Sequence, residues 1–101
     1  MELLVLLFKS RLPLEEMLKI SEKRAYEYRK VNGLLQKFYV RDPASGQVGG
    51  VFVFDSKESL EAFKKSDLAK STAEVYKFLE PPSIRVLEVL KVLYEQKERL
   101  L

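Results

Sequence analysis

The sequence predicts an α+β fold of the ferredoxin-like type, a βαββαβ sandwich in which one four-stranded antiparallel sheet has its helices on one face. Two observations predict it: strand-like segments occur at four places, and helix-forming segments follow the first and the third. A third observation is the segment VFVF, residues 51–54, which is apolar on both faces. A strand of this kind is buried on both sides, so the helices alone do not account for it.

The first strand and the first helix are predicted within residues 1–33. Residues 3–8 form a short apolar run without alternation, which favours a strand. Pro13 suits the first turn of a helix, and Gly33 suits the left-handed residue that ends one. The helix between them has a predicted buried stripe of Leu14, Met17, Ser21, Ala25, Tyr28 and Val31.

The second and third strands are predicted to form a hairpin. Pro43 and Gly46 mark a turn over residues 42–47, and residues 48–54 then return antiparallel to the second strand, which covers residues 34–41. Alternation in the second strand predicts one face with Leu34, Gln36, Phe38 and Val40 and another with Leu35, Lys37, Tyr39 and Arg41.

The second half of the chain is predicted to repeat the helix–strand order. Asp55 or Ser56 caps a second helix, and a shorter helical segment spans residues 67–73. A fourth strand is predicted over residues 84–90, and residues 91–101 are predicted as a helix or an arm that reaches a partner subunit.

Length and composition predict one domain over residues 1–101, a common domain size. The 18 basic and 15 acidic residues are interspersed, so the net charge of +3 favours solubility more than nucleic-acid binding. The apolar run near the N-terminus is too short for a membrane helix or a signal peptide, and we expect a cytoplasmic protein with a strand at its start.

Two residue types, cysteine and histidine, are absent from the sequence, which excludes several kinds of catalytic and metal site. The sequence has no cysteine, so disulfides, thiolate metal sites and cysteine nucleophiles are excluded. It has no histidine either, the side chain that serves most often as metal ligand and as general base near neutral pH. The sequence also has no Asp-rich loop of the kind that binds a metal through carboxylate oxygens. We therefore expect neither a metal nor another cofactor.

The face of the sheet without helices needs a partner. Two candidates are RNA and a second copy of the chain. An RNA-binding sheet would place aromatic residues on that face of the third strand; Gly49 and Phe52 fit this pattern, but Val48 and Gly50 do not. A second copy of the chain suits apolar residues on both faces better. We therefore expect a homodimer through the open sheet face, with no membrane partner and nucleic acid disfavoured.

Much of the chain resembles a known family. The segments GLLQKFYVRDPASGQV, GGVFVFDSKESLEAF and EPPSIRVLEVL are similar to those of the YdhR-type monooxygenase-like proteins, from the first strand to about Leu90. The resemblance implies a ferredoxin-like subunit whose sheet pairs with another to form a dimeric α+β barrel. Wider relatives oxidise polycyclic phenols without metal or flavin, degrade haem or isomerise lactones. The haem-degrading and lactone branches rely on histidine, and the former also on tryptophan; both residue types are absent here.

Oxygenation without a cofactor needs an apolar pocket that excludes water and a polar group that holds and deprotonates a phenol. The catalytic candidates are Arg85, Tyr39 and Asn32; Arg85 could stabilise a phenolate, or act only as a charge at a sheet edge. Tyr26 is a further candidate for the polar group. The predicted substrate-binding residues are Tyr28, Phe52 and Phe54. The two phenylalanines line either the dimer layer or the cavity, on the face opposite Val51 and Val53.

Three functions stay open at this point. The resemblance favours a cofactor-independent monooxygenase that acts on a small aromatic compound, such as a phenol or quinol. The alternatives are a dimer that binds a small ligand or another protein without catalysis, and an RNA-binding module.

Overall fold

The computed structural model describes residues 1–94. The predicted βαββαβ order is confirmed, with the short helical segment present as two helices of four residues each. In chain order, the elements are β1 (Glu2–Phe8), α1 (Leu14–Arg29), β2 (Leu34–Arg41), β3 (Val48–Phe54), α2 (Lys57–Lys64), α3 (Asp67–Lys70), α4 (Thr72–Val75) and β4 (Ser83–Glu88).

The C-terminal prediction is tested only in part. The fourth strand ends at Glu88 rather than Leu90, and residues 91–94 are in neither a helix nor a strand. The remainder of the predicted helix or arm, residues 95–101, lies outside the described residues. No helix within residues 1–94 is long and apolar enough to cross a membrane.

The sheet is antiparallel throughout, with the strand order β2-β3-β1-β4. One row across it runs from Phe38 through Val51 and Val5 to Arg85. Residues that pair directly across neighbouring strands point to the same side of the sheet, so all four lie on the same face.

A bulge in β2 corrects the predicted alternation. Leu34 pairs with Phe54, but Gln36 pairs with the next residue of the partner strand, so Leu35 is the extra residue. Leu34 therefore lies on the face of Lys37, not on that of Gln36 as the sequence predicted. The bulge keeps Leu34 packed against the core while the rest of the strand continues in register.

The helices cover the face of the sheet that presents Phe52 and Phe54. These rings pack with Tyr28 of α1 and with Leu60 and Phe63 of α2 in the larger core cluster. We call the opposite face, which presents Val5, Phe38, Val51, Arg85 and Leu87, the open face. Phe52 is 2% exposed and on the helix side, so it cannot stack a base on the open face as the RNA-binding alternative required.

A second core cluster lies at the other end of the sheet. It joins Phe8 and Val48 of the sheet to Met17 of α1 and to Tyr76, which follows α4. The two clusters are packed on either side of a region of the helix-covered face where β3 has Gly50 in place of a large side chain. This gap positions the candidate site.

Candidate functional site

A cavity of about 200 Å³ lies between α1 and the helix-covered face of the sheet. Its walls are mainly apolar and aromatic, as in most small-molecule sites. We call it the α1 cavity. The side chains that matter for its chemistry come from α1, β2, β3 and the end of α4: Met17, Ser21, Tyr28, Lys37, Tyr39, Phe52 and Tyr76.

Gly50 forms part of the wall of the α1 cavity. A Cβ atom at this position would lie 3.1 Å from Cε1 of Phe52 and 3.3 Å from Cε of Lys37. A side chain here would therefore fill space beside the amino group of Lys37. Gly50 thus leaves room in a layer of aromatic residues.

Lys37 points its amino group into this aromatic layer. The nitrogen lies 3.4 Å from the centroid of the Tyr28 ring, 4.4 Å from that of Tyr39 and 4.8 Å from that of Phe52. Within residues 1–94, no carboxylate lies within 4.0 Å of it. Lys37 is therefore a partly buried amine held by rings rather than by an acidic partner.

The surroundings of Lys37 change its protonation. Burial, with a smaller effect from the positive charge of Arg24, lowers the pKa of Lys37 from 10.5 to about 7. Near neutral pH a large fraction of this amine is unprotonated and available to accept a proton. The sequence has no histidine, and the pKa of Lys37 is near the working pH, as a general base requires.

A hydrogen-bonded pair closes another part of the wall. The hydroxyl oxygens of Tyr76 and Ser21 are 2.8 Å apart, and Ser21 donates its own proton to the carbonyl oxygen of Met17 at 2.9 Å. Because a serine hydroxyl has a single proton, Tyr76 is the donor in their shared bond. Burial is the main cause that raises the pKa of Tyr76, so it stays neutral at physiological pH.

Arg24 fixes a positive charge beside the α1 cavity. Its guanidinium donates to the carbonyl oxygen of Leu68 at 2.8 Å and to the hydroxyl of Ser71 at 3.2 Å, and its carbon lies 5.8 Å from the ring centroids of both Tyr28 and Tyr76. Its Nε is buried and has no hydrogen-bond partner among the described residues. Since neither ion pair found within residues 1–94 involves Arg24, its charge favours an anion nearby.

Three of the residues predicted from the sequence meet in this cavity: Tyr28, Tyr39 and Phe52. Burial is the main cause that raises the pKa of Tyr39, so its phenol is neutral at pH 7. Phe54 has no exposed surface and belongs to the core beside the cavity.

The other sequence candidates lie elsewhere. Arg85 is exposed on the open face of the edge strand β4, and Asn32 is exposed in the turn after α1. Neither lines the α1 cavity. Tyr26 is 63% exposed and its ring faces the amino group of Lys30. The catalytic roles of Arg85 and Asn32 remain predictions that need a site outside this cavity.

Sequence reasoning missed Lys37, Arg24, Ser21 and Tyr76 as site residues. One signal was present: Lys37 shares its strand face with Tyr39, which is one of the residues predicted from the sequence. The sequence pattern gave Lys37 a place on that face but no role, because a lysine on a strand is usually at the surface. Tyr76 follows a pair of very short helices, and nothing local indicates that it turns back to α1.

A second cavity, of about 250 Å³, adjoins the first. Leu6, Phe52 and Thr72 line both, and the far wall comes from Phe63, Phe78 and Ile84. The helix-covered face therefore has two adjacent apolar spaces separated by a few side chains.

The chain was compared with known proteins. The family model described as "Putative mono-oxygenase ydhR" matches residues 3–89. No curated protein matches. Among solved structures, SnoaB from Streptomyces nogalater, described as a cofactor-independent oxygenase and solved as a mutant, has a TM-score of 0.73 and 12% identity over 93% of this chain and 97% of its own.

Two further structures have the same fold. One, described as a putative antibiotic biosynthesis monooxygenase from Caulobacter crescentus, has a TM-score of 0.72 and 17% identity, and covers 89% of this chain and 90% of its own. The other is described as a dimeric ferredoxin-like protein of unknown function from Thermobifida fusca. It has a TM-score of 0.68 and 8% identity, and covers 87% of this chain and 90% of its own. At such identities the likeness shows the fold alone.

Proposed function

The chain belongs to the YdhR mono-oxygenase family, and from this membership we propose that it is a cofactor-independent monooxygenase whose substrate is a small phenol or hydroquinone bound in the α1 cavity. The observation that supports this most is the partly buried amine of Lys37 among the rings of Tyr28, Tyr39 and Phe52. A phenol needs an apolar slot and a proton acceptor, and this cavity supplies both.

Lys37 accepts the phenolic proton in this proposal. A pKa of about 7 makes the amine a base at neutral pH that is regenerated when the ammonium loses its proton to solvent. The rings of Tyr28 and Tyr39 then face the ammonium and stabilise it. Arg24, held beside the cavity by Leu68 and Ser71, stabilises the phenolate.

The phenolate is the reductant for molecular oxygen. It transfers an electron to O₂, the resulting radicals combine into a peroxide at a ring carbon, and loss of water leaves a quinone. One phenol and one O₂ thus give one quinone and one water, with no other reductant. The protein excludes bulk water and accepts the phenolic proton, which are the tasks that the aromatic wall and Lys37 perform.

A homodimer through the open face completes the proposal. Val5, Phe38 and Val51 form an apolar row across that face, and Phe38 is 38% exposed. Burying such a row between two copies would close an α+β barrel. The dimeric description of the Thermobifida fusca protein supports this arrangement.

Oxygen uptake with a panel of one-ring and two-ring phenols and hydroquinones tests the activity. We expect consumption of one O₂ per quinone formed, and a loss of at least about a hundredfold in kcat/KM for Lys37→Met. Arg85→Ala, on the open face, is the matched control and should retain turnover. Turnover that survives Lys37→Met but not Arg85→Ala would place the chemistry on the open face instead.

A ligand-binding protein without turnover is the second candidate, because the same cavity would hold a phenol tightly without oxidising it. Calorimetric binding of a phenol that is never consumed under O₂ would establish this function and exclude the oxygenase.

A further inference from the structure

Lys37 differs from the exposed lysines of the chain in the way its amine is held. Lys30 also has its nitrogen over a tyrosine ring, at 3.9 Å from the centroid of Tyr26, but its side chain is 54% exposed and pairs with Glu27 at 3.8 Å. Lys37 faces three rings in a cavity and has no acidic partner among residues 1–94. Its amine is thus open to a ligand.

The charged and titratable groups around this amine do not block it. The amine faces the rings of Tyr28 and Tyr39, and the positive charge of Arg24 acts on it from α1. Arg41 and Tyr76 line the same cavity. Arg24 disfavours a second positive charge. The tyrosines are neutral donors near neutral pH, because burial raises the pKa of both Tyr39 and Tyr76.

We propose that Lys37 captures small aromatic aldehydes in the α1 cavity as a reversible imine, an activity separate from oxygenation. A neutral amine beside an apolar pocket is the arrangement by which lysines react with carbonyl compounds. The proposal does not depend on the oxygenase function, since it requires only the cavity and the amine.

The bond changes balance without another reagent. The nitrogen lone pair of Lys37 forms a bond to the carbonyl carbon, and a proton passes from nitrogen to oxygen to give a carbinolamine. The remaining proton on nitrogen then passes to the hydroxyl oxygen as the carbon–oxygen bond breaks, so that water leaves and a carbon–nitrogen double bond remains. Hydrolysis reverses each step, so one amine and one aldehyde are in equilibrium with one imine and one water.

The shape of the cavity selects the aldehyde. Its volume of about 200 Å³ is larger than the roughly 150 Å³ apolar cavity that binds benzene in an engineered protein. Walls of Phe52, Tyr28 and Met17 favour an aromatic ring over a sugar or a hydrated aldehyde. The expected ligands are therefore one-ring or two-ring aromatic aldehydes.

Reductive trapping with benzaldehyde and sodium cyanoborohydride tests the proposal on the full chain. The reagent delivers a hydride to the imine carbon and leaves a stable benzyl-lysine, which peptide mass spectrometry locates. At pH 7 the neutral fraction of an amine with a pKa near 7 exceeds that of an ordinary lysine by on the order of a thousandfold. We expect Lys37 to be labelled at least roughly a hundredfold faster than Lys30.

Two variants and a competing ligand test whether the label depends on Lys37 and on the cavity. Lys37→Arg keeps a long basic side chain but cannot form an imine, so the fast label should disappear. Lys30→Arg should leave the label unchanged. Benzyl alcohol, which lacks the carbonyl, should slow the labelling by competition. Equal labelling of Lys37 and Lys30 in the unaltered protein would overturn the proposal without any variant having to fold. Phenol oxidation measured beside it distinguishes the two proposals, because either can fail while the other stands.

Discussion

The amino nitrogen of Lys37 lies 3.4 Å from the centroid of the Tyr28 ring, and this contact joins β2 to α1 across the α1 cavity. A protonated lysine is attracted to the ring face, whereas burial and Arg24 favour the neutral amine. The same residue therefore links the stability of the fold to the protonation state of the candidate site.

The first prediction concerns stability and pH. The pKa of Lys37 is lowered from 10.5 to about 7 on folding, so between these values the unfolded chain binds a proton that the folded chain does not. Stability therefore rises as the pH increases from about 7 towards 10.5, by up to a few kcal/mol from this group. Denaturant unfolding at pH 7, 8 and 9 should show that rise in the unaltered protein and its loss in Lys37→Met.

Lys30→Met is the matched control for this experiment. Its amine also lies over a tyrosine ring but is exposed, so its removal should leave the slope of stability against pH as it was. Parallel pH profiles for the unaltered protein and Lys37→Met would show that Lys37 is protonated equally in both states, contrary to the prediction.

The second prediction concerns the space beside Gly50. Gly50→Ala places a methyl group 3.1 Å from the Phe52 ring and 3.3 Å from the Lys37 side chain, so these neighbours must shift by a few tenths of an ångström. We expect about a tenfold loss in the affinity for a phenol, as contacts worth roughly 1.4 kcal/mol are displaced. Isothermal titration calorimetry measures the change.

Ser83→Thr is a suitable control, because it adds a methyl group to the exposed edge strand β4 outside the cavity. An unchanged affinity in Gly50→Ala, with the fold intact by circular dichroism, would place phenol binding elsewhere in the protein.

The third prediction concerns the hydrogen bond between Tyr76 and Ser21. Tyr76→Phe removes the donor of a buried bond of 2.8 Å, and should lower the free energy of unfolding by about 1 kcal/mol. Ser21→Ala removes the acceptor and also the bond to Met17. In a double-mutant cycle measured by urea unfolding, the two changes should couple by roughly 0.5–1.5 kcal/mol. Additive effects of the two substitutions would mean that the pair does not interact in solution.

The sequence predicted the fold better than the site, for a physical reason. Strands and helices follow from local patterns, such as the apolar run of β1 and the turn at Pro43 and Gly46. The elements predicted from these two patterns are confirmed. The bulge at Leu35 was missed because a bulge depends on the partner strand as much as on its own residues.

The α1 cavity depends on contacts between distant segments. Tyr28 and Phe52 were selected because aromatic residues on buried faces are visible in a periodic pattern. Lys37 was not, because only the approach of α1 partly buries a lysine that the strand pattern alone places at the surface. The bond from Tyr76 to Ser21 joins residues that lie 55 positions apart, and no local pattern predicts it.

The last prediction concerns the open face. Phe38 is 38% exposed in a single chain and lies in one row with Val51 and Val5, so a second copy would bury it. In a symmetric dimer Phe38→Lys removes the burial of the exposed part of two rings, about 1–2 kcal/mol in total, which weakens association by at least roughly tenfold. Light scattering over a dilution series should show twice 11.8 kDa for the unaltered protein and a shift to the monomer mass for the variant. Leu79→Lys, which replaces an apolar residue that is 54% exposed in the segment before β4, should remain dimeric. A monomeric unaltered protein would leave this apolar row uncovered by a second copy, and the barrel would then have to be abandoned.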